Sequence, residues 1–106
     1  MKFEQGRFYV EPHQSVLFFA HAGQRRLHCY VTREALMTYF GAKDDALNAY
    51  KHCLCAYDRY TATIQSIAER LIGGDAWTPD GAITITPDAV FRNIAALEEA
   101  SAPAFA

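Results

Sequence analysis

Residues Ser15 to Thr32 constrain this chain more than any other stretch. Gly23-Gln24 lies midway between two runs of alternating side chains, and Gly23 suits the positive φ at the first central position of a type II′ turn. With that turn at the centre, Ala20 pairs with Leu27, Phe18 with Cys29 and Val16 with Val31 on one face. The other face pairs His21 with Arg26, Phe19 with His28 and Leu17 with Tyr30. One face is small and aliphatic and the other aromatic and basic. A slip of one residue would scramble both, so the pattern specifies its own register. Ahead of it, Phe8-Tyr9-Val10 supplies a short edge strand within an N-terminal segment, residues 1–14.

The rest of the chain reads mainly as helix. Thr32 caps a short helix with Glu34 in its first turn, Leu36, Met37 and Phe40 on one side, and Gly41 as a left-handed stop. A second helix starts near Asp44-Asp45 and meets no breaker before Gly73-Gly74. Its seam is Leu47, Tyr50, Leu54, Tyr57, Thr61, Ile64, Ala68 and Leu71, with spacings that alternate three and four. Unbroken, it would run roughly 42 Å, more than the roughly 34 Å diameter of a domain this size. The alternative is a break near Tyr60-Thr61, where Thr61 and Thr63 weaken helix propensity. Thr78-Pro79-Asp80-Gly81 reads as a type I turn, and Ala82 to Thr86 as a half-buried strand. Thr86-Pro87-Asp88 then opens a last helix with the stripe Val90, Ile94 and Leu97, and Ser101 to Ala106 is a frayed tail.

These elements predict one α+β domain over residues 15–100. Its small antiparallel sheet, the hairpin plus a third strand, packs against one long helix and two shorter ones. A chain of 106 residues leaves no room for a second core.

The stretch Lys51-His52-Cys53-Leu54-Cys55-Ala56-Tyr57-Asp58 is rich in metal-ligating side chains. On a helix, however, Cys53 and Cys55 point to nearly opposite sides. His52 and Cys55 share a face, but zinc normally takes three or four ligands and there is no Cys-x-x-Cys pair. Cys53 and Cys29 are expected in the core, and Cys55 on the polar side with His52 and Asp58. Glu69 and Arg70 fall on the exposed side of the same seam. There is no phosphate-binding glycine loop, nucleophile elbow or paired-carboxylate motif. The reading therefore assigns no catalytic residues, no metal and no cofactor.

The outer hairpin face is the candidate binding surface: Leu17, Phe19, His21, Arg26, His28 and Tyr30. Aromatic rings beside bases can stack nucleobases and touch phosphates. They can equally be covered by another element or a second subunit. The formal net charge of -2 gives little pull toward nucleic acid, and apolar patches more often mark protein contacts. The amino terminus lacks the apolar segment of a secretory signal, and no apolar run reaches the roughly 18 residues that span a bilayer. A cytoplasmic protein without a membrane role is expected.

Several stretches carry a resemblance. Val16-Leu17-Phe18-Phe19-Ala20, Arg26-Leu27-His28-Cys29, Val31-Thr32-Arg33-Glu34-Ala35-Leu36 and Phe40-Gly41-Ala42 come in one order, followed by Ile67-Ala68-Glu69-Arg70 and Asp80-Gly81-Ala82-Ile83. In this the chain resembles the uncharacterised bacterial domain-of-unknown-function family 1488, over roughly Ser15 to Asp88. The resemblance implies a small cytosolic α+β protein and brings no activity or catalytic residues with it. The long approach from Gly74 to Pro79 and the alanine-rich tail depart from the shorter members.

The expectation for function is a small non-enzymatic interaction or regulatory protein that self-associates as a homodimer and meets a protein partner not identified by the sequence. One alternative is a nucleic-acid-binding regulator using the outer hairpin face. Another is a thiol- or metal-dependent protein using His52, Cys55 and Asp58.

Overall fold

The computed structural model describes residues 1–74 and 77–93. Four strands form one sheet in the order β1-β2-β3-β4: β1 is Lys2–Val10, β2 Ser15–Ala22, β3 Arg25–Thr32 and β4 Ala82–Ile85. Helix α1 is Arg33–Tyr39, α2 Ala49–Arg59 and α3 Thr61–Gly73, and residues 87–93 are helical as well (α4).

The β2–β3 hairpin has the register read from its alternation. Val16 pairs with Val31, Phe18 with Cys29 and Ala20 with Leu27, with the turn centred on Gly23-Gln24. Gly23 has φ of 63° and Gln24 is not left-handed, as a type II′ turn requires. The edge strand is longer than the three residues expected. β1 runs antiparallel to β2 from Lys2, with a bulge between Phe3 and Arg7 that interrupts the alternation by which a strand is recognised.

Two expectations are corrected. The sheet is mixed, because β4 runs parallel to β3, with Cys29 opposite Ile83 and Val31 opposite Ile85. The three helices between these strands form the long crossover that parallel neighbours need. The long helix is also broken, at Tyr60 (φ −115°, ψ 26°). There the Tyr60 N–H donates to both Ala56 O and Tyr57 O, and Thr61 Oγ1 donates to Tyr57 O at 2.7 Å. The hydroxyl takes a carbonyl of the last turn of α2 and so helps end it. α2 packs on β1 and β2, and α3 on β4.

The remaining boundaries follow local chemistry. Thr32 Oγ1 accepts from the Ala35 N–H at 3.0 Å and starts α1. Gly41, at φ 75°, lets the chain leave α1, and the Ala42 N–H returns to Leu36 O. Gly81 N–H donates to Thr78 O at 2.9 Å, closing the turn before β4. Thr86 Oγ1 accepts from Ala89 N–H at 3.2 Å and opens α4, where Val90 is buried; Ile94, Leu97 and the tail lie outside the described residues.

The core lies between the inner sheet face and the helices. Val16, Phe18, Ala20, Leu27, Cys29, Val31, Ile83 and Ile85 meet Leu36, Cys53, Tyr57, Ile64, Ile67 and Ala68. The seam holds from Tyr57 to Ala68 and fails at its start. Leu47 is 91% exposed and Tyr50 54%, while Ala49 and Cys53 turn inward instead. No described helix is long and apolar enough to cross a membrane.

Candidate interaction surface

Alternation along β2 and β3 places Leu17, Phe19, His21, Arg26, His28 and Tyr30 together on the sheet face opposite the helices. The structure brings all six onto this face, paired as Leu17 with Tyr30, Phe19 with His28 and His21 with Arg26. His21, Arg26 and His28 are exposed, and Leu17, Phe19 and Tyr30 half-buried. Their ring and cation contacts come from within the face, from Phe8 of β1 and from His13 in the one-turn helix Glu11–His13.

Phe19 is the centre of the face. The Arg26 guanidinium lies 3.8 Å above its ring, and His28 meets it edge-on at 5.1 Å. Phe8 packs against it from β1 at 6.3 Å, also near-perpendicular, and is 55% exposed. Tyr30 meets His13 at 4.8 Å. Edge-to-face ring pairs and a cation over a ring are mutually attractive and hold the row in a defined shape.

Arg26 and His21 are engaged within the protein, while Lys2, opposite His21 on β1, is exposed. Arg26 donates from Nε and Nη2 to the two carboxylate oxygens of Glu4, at 2.7 and 2.9 Å. His21 Nε2 is 2.6 Å from the same carboxylate. The hydrogen bond from Arg26, helped by His21, holds the Glu4 carboxyl well below its ordinary range, at about 2. Asp80 is lowered too, first by the Thr78 hydroxyl beside it and in smaller part by His28. Arg25, beyond the hairpin turn, lies over the Trp77 ring at 4.1 Å. The face is thus aromatic, with Arg26 and His21 paired to Glu4, and not a basic stripe.

Glu4, Phe8 and His13 belong to this surface, and the sequence reading left them out. Phe8 carried a signal, since it lies in the short strand already recognised. Glu4 carried none, because the bulge at residues 4–6 hides which side of β1 it takes.

The ligand-rich stretch of α2 does not converge. His52 Nε2 lies 3.3 Å from Asp45 Oδ2, Asp58 is held by Arg7, and Cys55 is exposed while Cys29 and Cys53 are buried. Among the described residues no three His, Cys, Asp or Glu side chains could hold one metal ion.

A two-layer α+β domain with a mixed four-stranded sheet, helices on one face and an aromatic opposite face defines the class of protein. The chain belongs to the family described as Protein of unknown function (DUF1488), whose model matches residues 1–85. The fold is similar to the crystal structure of a protein of unknown function from the same family, from Shewanella loihica PV-4. The two share 17% sequence identity with a TM-score of 0.61, over 78% of this chain and 88% of that one. No curated protein matches the chain.

Proposed function

We propose that this chain is a non-enzymatic interaction protein that self-associates through the outer sheet face. The observation that carries the reading is the row Phe8, Phe19, His28 on the sheet face opposite the core helices, with Phe8 55% exposed. Rings on an open face gain by excluding water, and a second copy offers the same shape across a two-fold axis. Internal pairing of Arg26 and His21 with Glu4 lowers the cost of bringing two such faces together, because these two bases arrive already partnered. Cytoplasmic location and a regulatory role belong to the same reading.

The test is sedimentation at micromolar protein concentration. A mass that rises toward two chains, and returns to one in Phe19→Asp and in Phe8→Asp with unchanged circular dichroism, supports the reading. Wild-type protein that stays monomeric as concentration increases overturns it.

A further inference from the structure

Four arginines among the described residues meet carboxylates: Arg92 through Nη2 to Asp88 one turn away in α4, and three others over longer range through the side of the guanidinium that carries Nε and Nη2. Arg7 donates from both atoms to Asp58, each at 2.8 Å. Arg26 does the same to Glu4. Two parallel N–H groups match the two oxygens of a carboxylate, which makes this the stronger form of the pair. Arg33 fills only half of that edge. Its Nη2 donates to Asp44 Oδ1 at 3.1 Å, while Nε is buried and is the one buried side-chain polar atom among the described residues without a hydrogen-bond partner. A buried donor left unmade is costly, so an acceptor there has more to gain than on the surface.

The surroundings of Arg33 differ from those of the other two. Its side chain is only 17% exposed, whereas Asp44 is 87% exposed and holds it by a single bond. The guanidinium lies near the Tyr9 phenol and the Cys53 thiol, where its charge works against the rise that burial imposes on both. Arg33 and Tyr9 line a cleft of about 440 Å³ together with Glu11, Leu47 and Tyr50. That volume falls within the roughly 300–1,000 Å³ of small-molecule sites. Leu47 and Tyr50 are the seam residues that stand free of the core, so the cleft sets apolar surface beside a half-used guanidinium. Glu11 in the lining and Asp44 beside it disfavour a dianion such as a phosphate monoester.

We propose that this cleft binds a small monocarboxylate with an apolar or aromatic body. Its carboxylate displaces Asp44 and takes Arg33 Nε and Nη2 together, and its body rests on Leu47 and Tyr50. The site is separate from the outer sheet face.

Amide chemical shifts of the full chain, followed by NMR while sodium benzoate is titrated in, test this directly. Benzamide serves as the uncharged counterpart. Saturable shifts confined to Tyr9, Arg33 and residues 46–50 are expected with benzoate and not with benzamide. Asp44→Asn removes the competing carboxylate and tightens benzoate. Arg33→Lys keeps the charge but not the fork and weakens benzoate by roughly tenfold or more. Should Arg33→Lys also lower the melting temperature, Tyr50→Ala at the exposed rim must weaken benzoate in a folded protein. Absence of saturable shifts at the cleft, or equal binding of benzamide, overturns the proposal. So does an Asp44→Asn variant that loses stability without tightening benzoate, since Asp44 would then be the fork's own acceptor. Phenyl phosphate binding more tightly than benzoate would overturn the carboxylate assignment.

Discussion

Glu4 holds two basic side chains at once, Arg26 through a two-pronged pair and His21 at 2.6 Å, and its carboxyl falls from 4.5 to about 2. A carboxyl whose folded value is depressed binds protons more readily in the unfolded chain. Its contribution to stability is therefore complete above pH 4.5 and disappears as pH falls toward about 2. Glu4→Gln should flatten the acid limb of a stability-against-pH curve in that window and change little of its shape at neutral pH. The carboxyl carbon resonance of Glu4 should titrate with a midpoint near 2, and an ordinary midpoint would refute the pairing. The thiols behave differently. Burial pushes Cys29 up to about 12 and raises Cys53, so neither forms much thiolate at neutral pH. Cys55 is exposed and should be alkylated first, with Cys29 and Cys53 reacting only on unfolding; mass spectrometry after brief iodoacetamide treatment checks the order. The thiol burial was legible, because a 100° step per residue separates Cys53 from Cys55 and strand alternation puts Cys29 inside. Glu4 was not, since its partner is 22 residues away and a bulge intervenes.

Packing and pairing contribute unequally to the way elements join. Arg7 on β1 and Asp58 on α2 form a two-pronged ion pair, yet their side chains are 38% and 49% exposed. Solvent screens such a pair, and a double-mutant cycle with Arg7→Ala and Asp58→Ala should give a coupling under about 1 kcal/mol. Phe18 joins the same two elements from inside. It is fully buried and its ring meets Phe3 of β1 at 6.1 Å and Tyr57 of α2 at 5.1 Å. Phe18→Ala should cost about 3–5 kcal/mol in urea denaturation. A coupling that exceeds the Phe18 loss would reverse this ranking. The hairpin was legible because turn, alternation and register are all local. The direction of β4 was not, because alternation in Ala82 to Ile85 is the same for parallel and antiparallel neighbours. The helix break was legible as an alternative only. Thr61 lowers propensity modestly, and the hydroxyl bond that helps end α2 depends on the fold around it.

On the scale of the whole molecule, the break at Tyr60 removes one argument for a dimer and leaves the other. At about 1.5 Å per residue, α2 and α3 span roughly 16 and 20 Å, and both fit on a body measuring 44 × 35 × 22 Å. No end of a 42 Å helix projects with a bare apolar seam. Leu47 and Tyr50 stay exposed where the seam begins, and the outer sheet face is the other apolar surface left open. That face was foreseen for protein or for nucleic acid, and charge distinguishes the two. A nucleic-acid surface collects uncompensated bases along a path that phosphates can follow, and releases counterions when it binds. Here Arg26 and His21 share Glu4, Asp80 is close enough to His28 to be lowered by it, and Arg25 lies over Trp77, within a chain of net charge -2. Phosphates approaching Phe19 would have to displace Glu4 from Arg26 first. Electrophoretic mobility assays with single- and double-stranded probes at physiological salt should show no retardation at micromolar protein. Glu4→Gln is the sharper variant, because it frees Arg26 and His21 without touching a ring. Weak, salt-sensitive binding that arises only in Glu4→Gln is the expected result, whereas sub-micromolar binding by the wild type, lost in Phe19→Ala with Arg26→Ala, would make the face a nucleic-acid site.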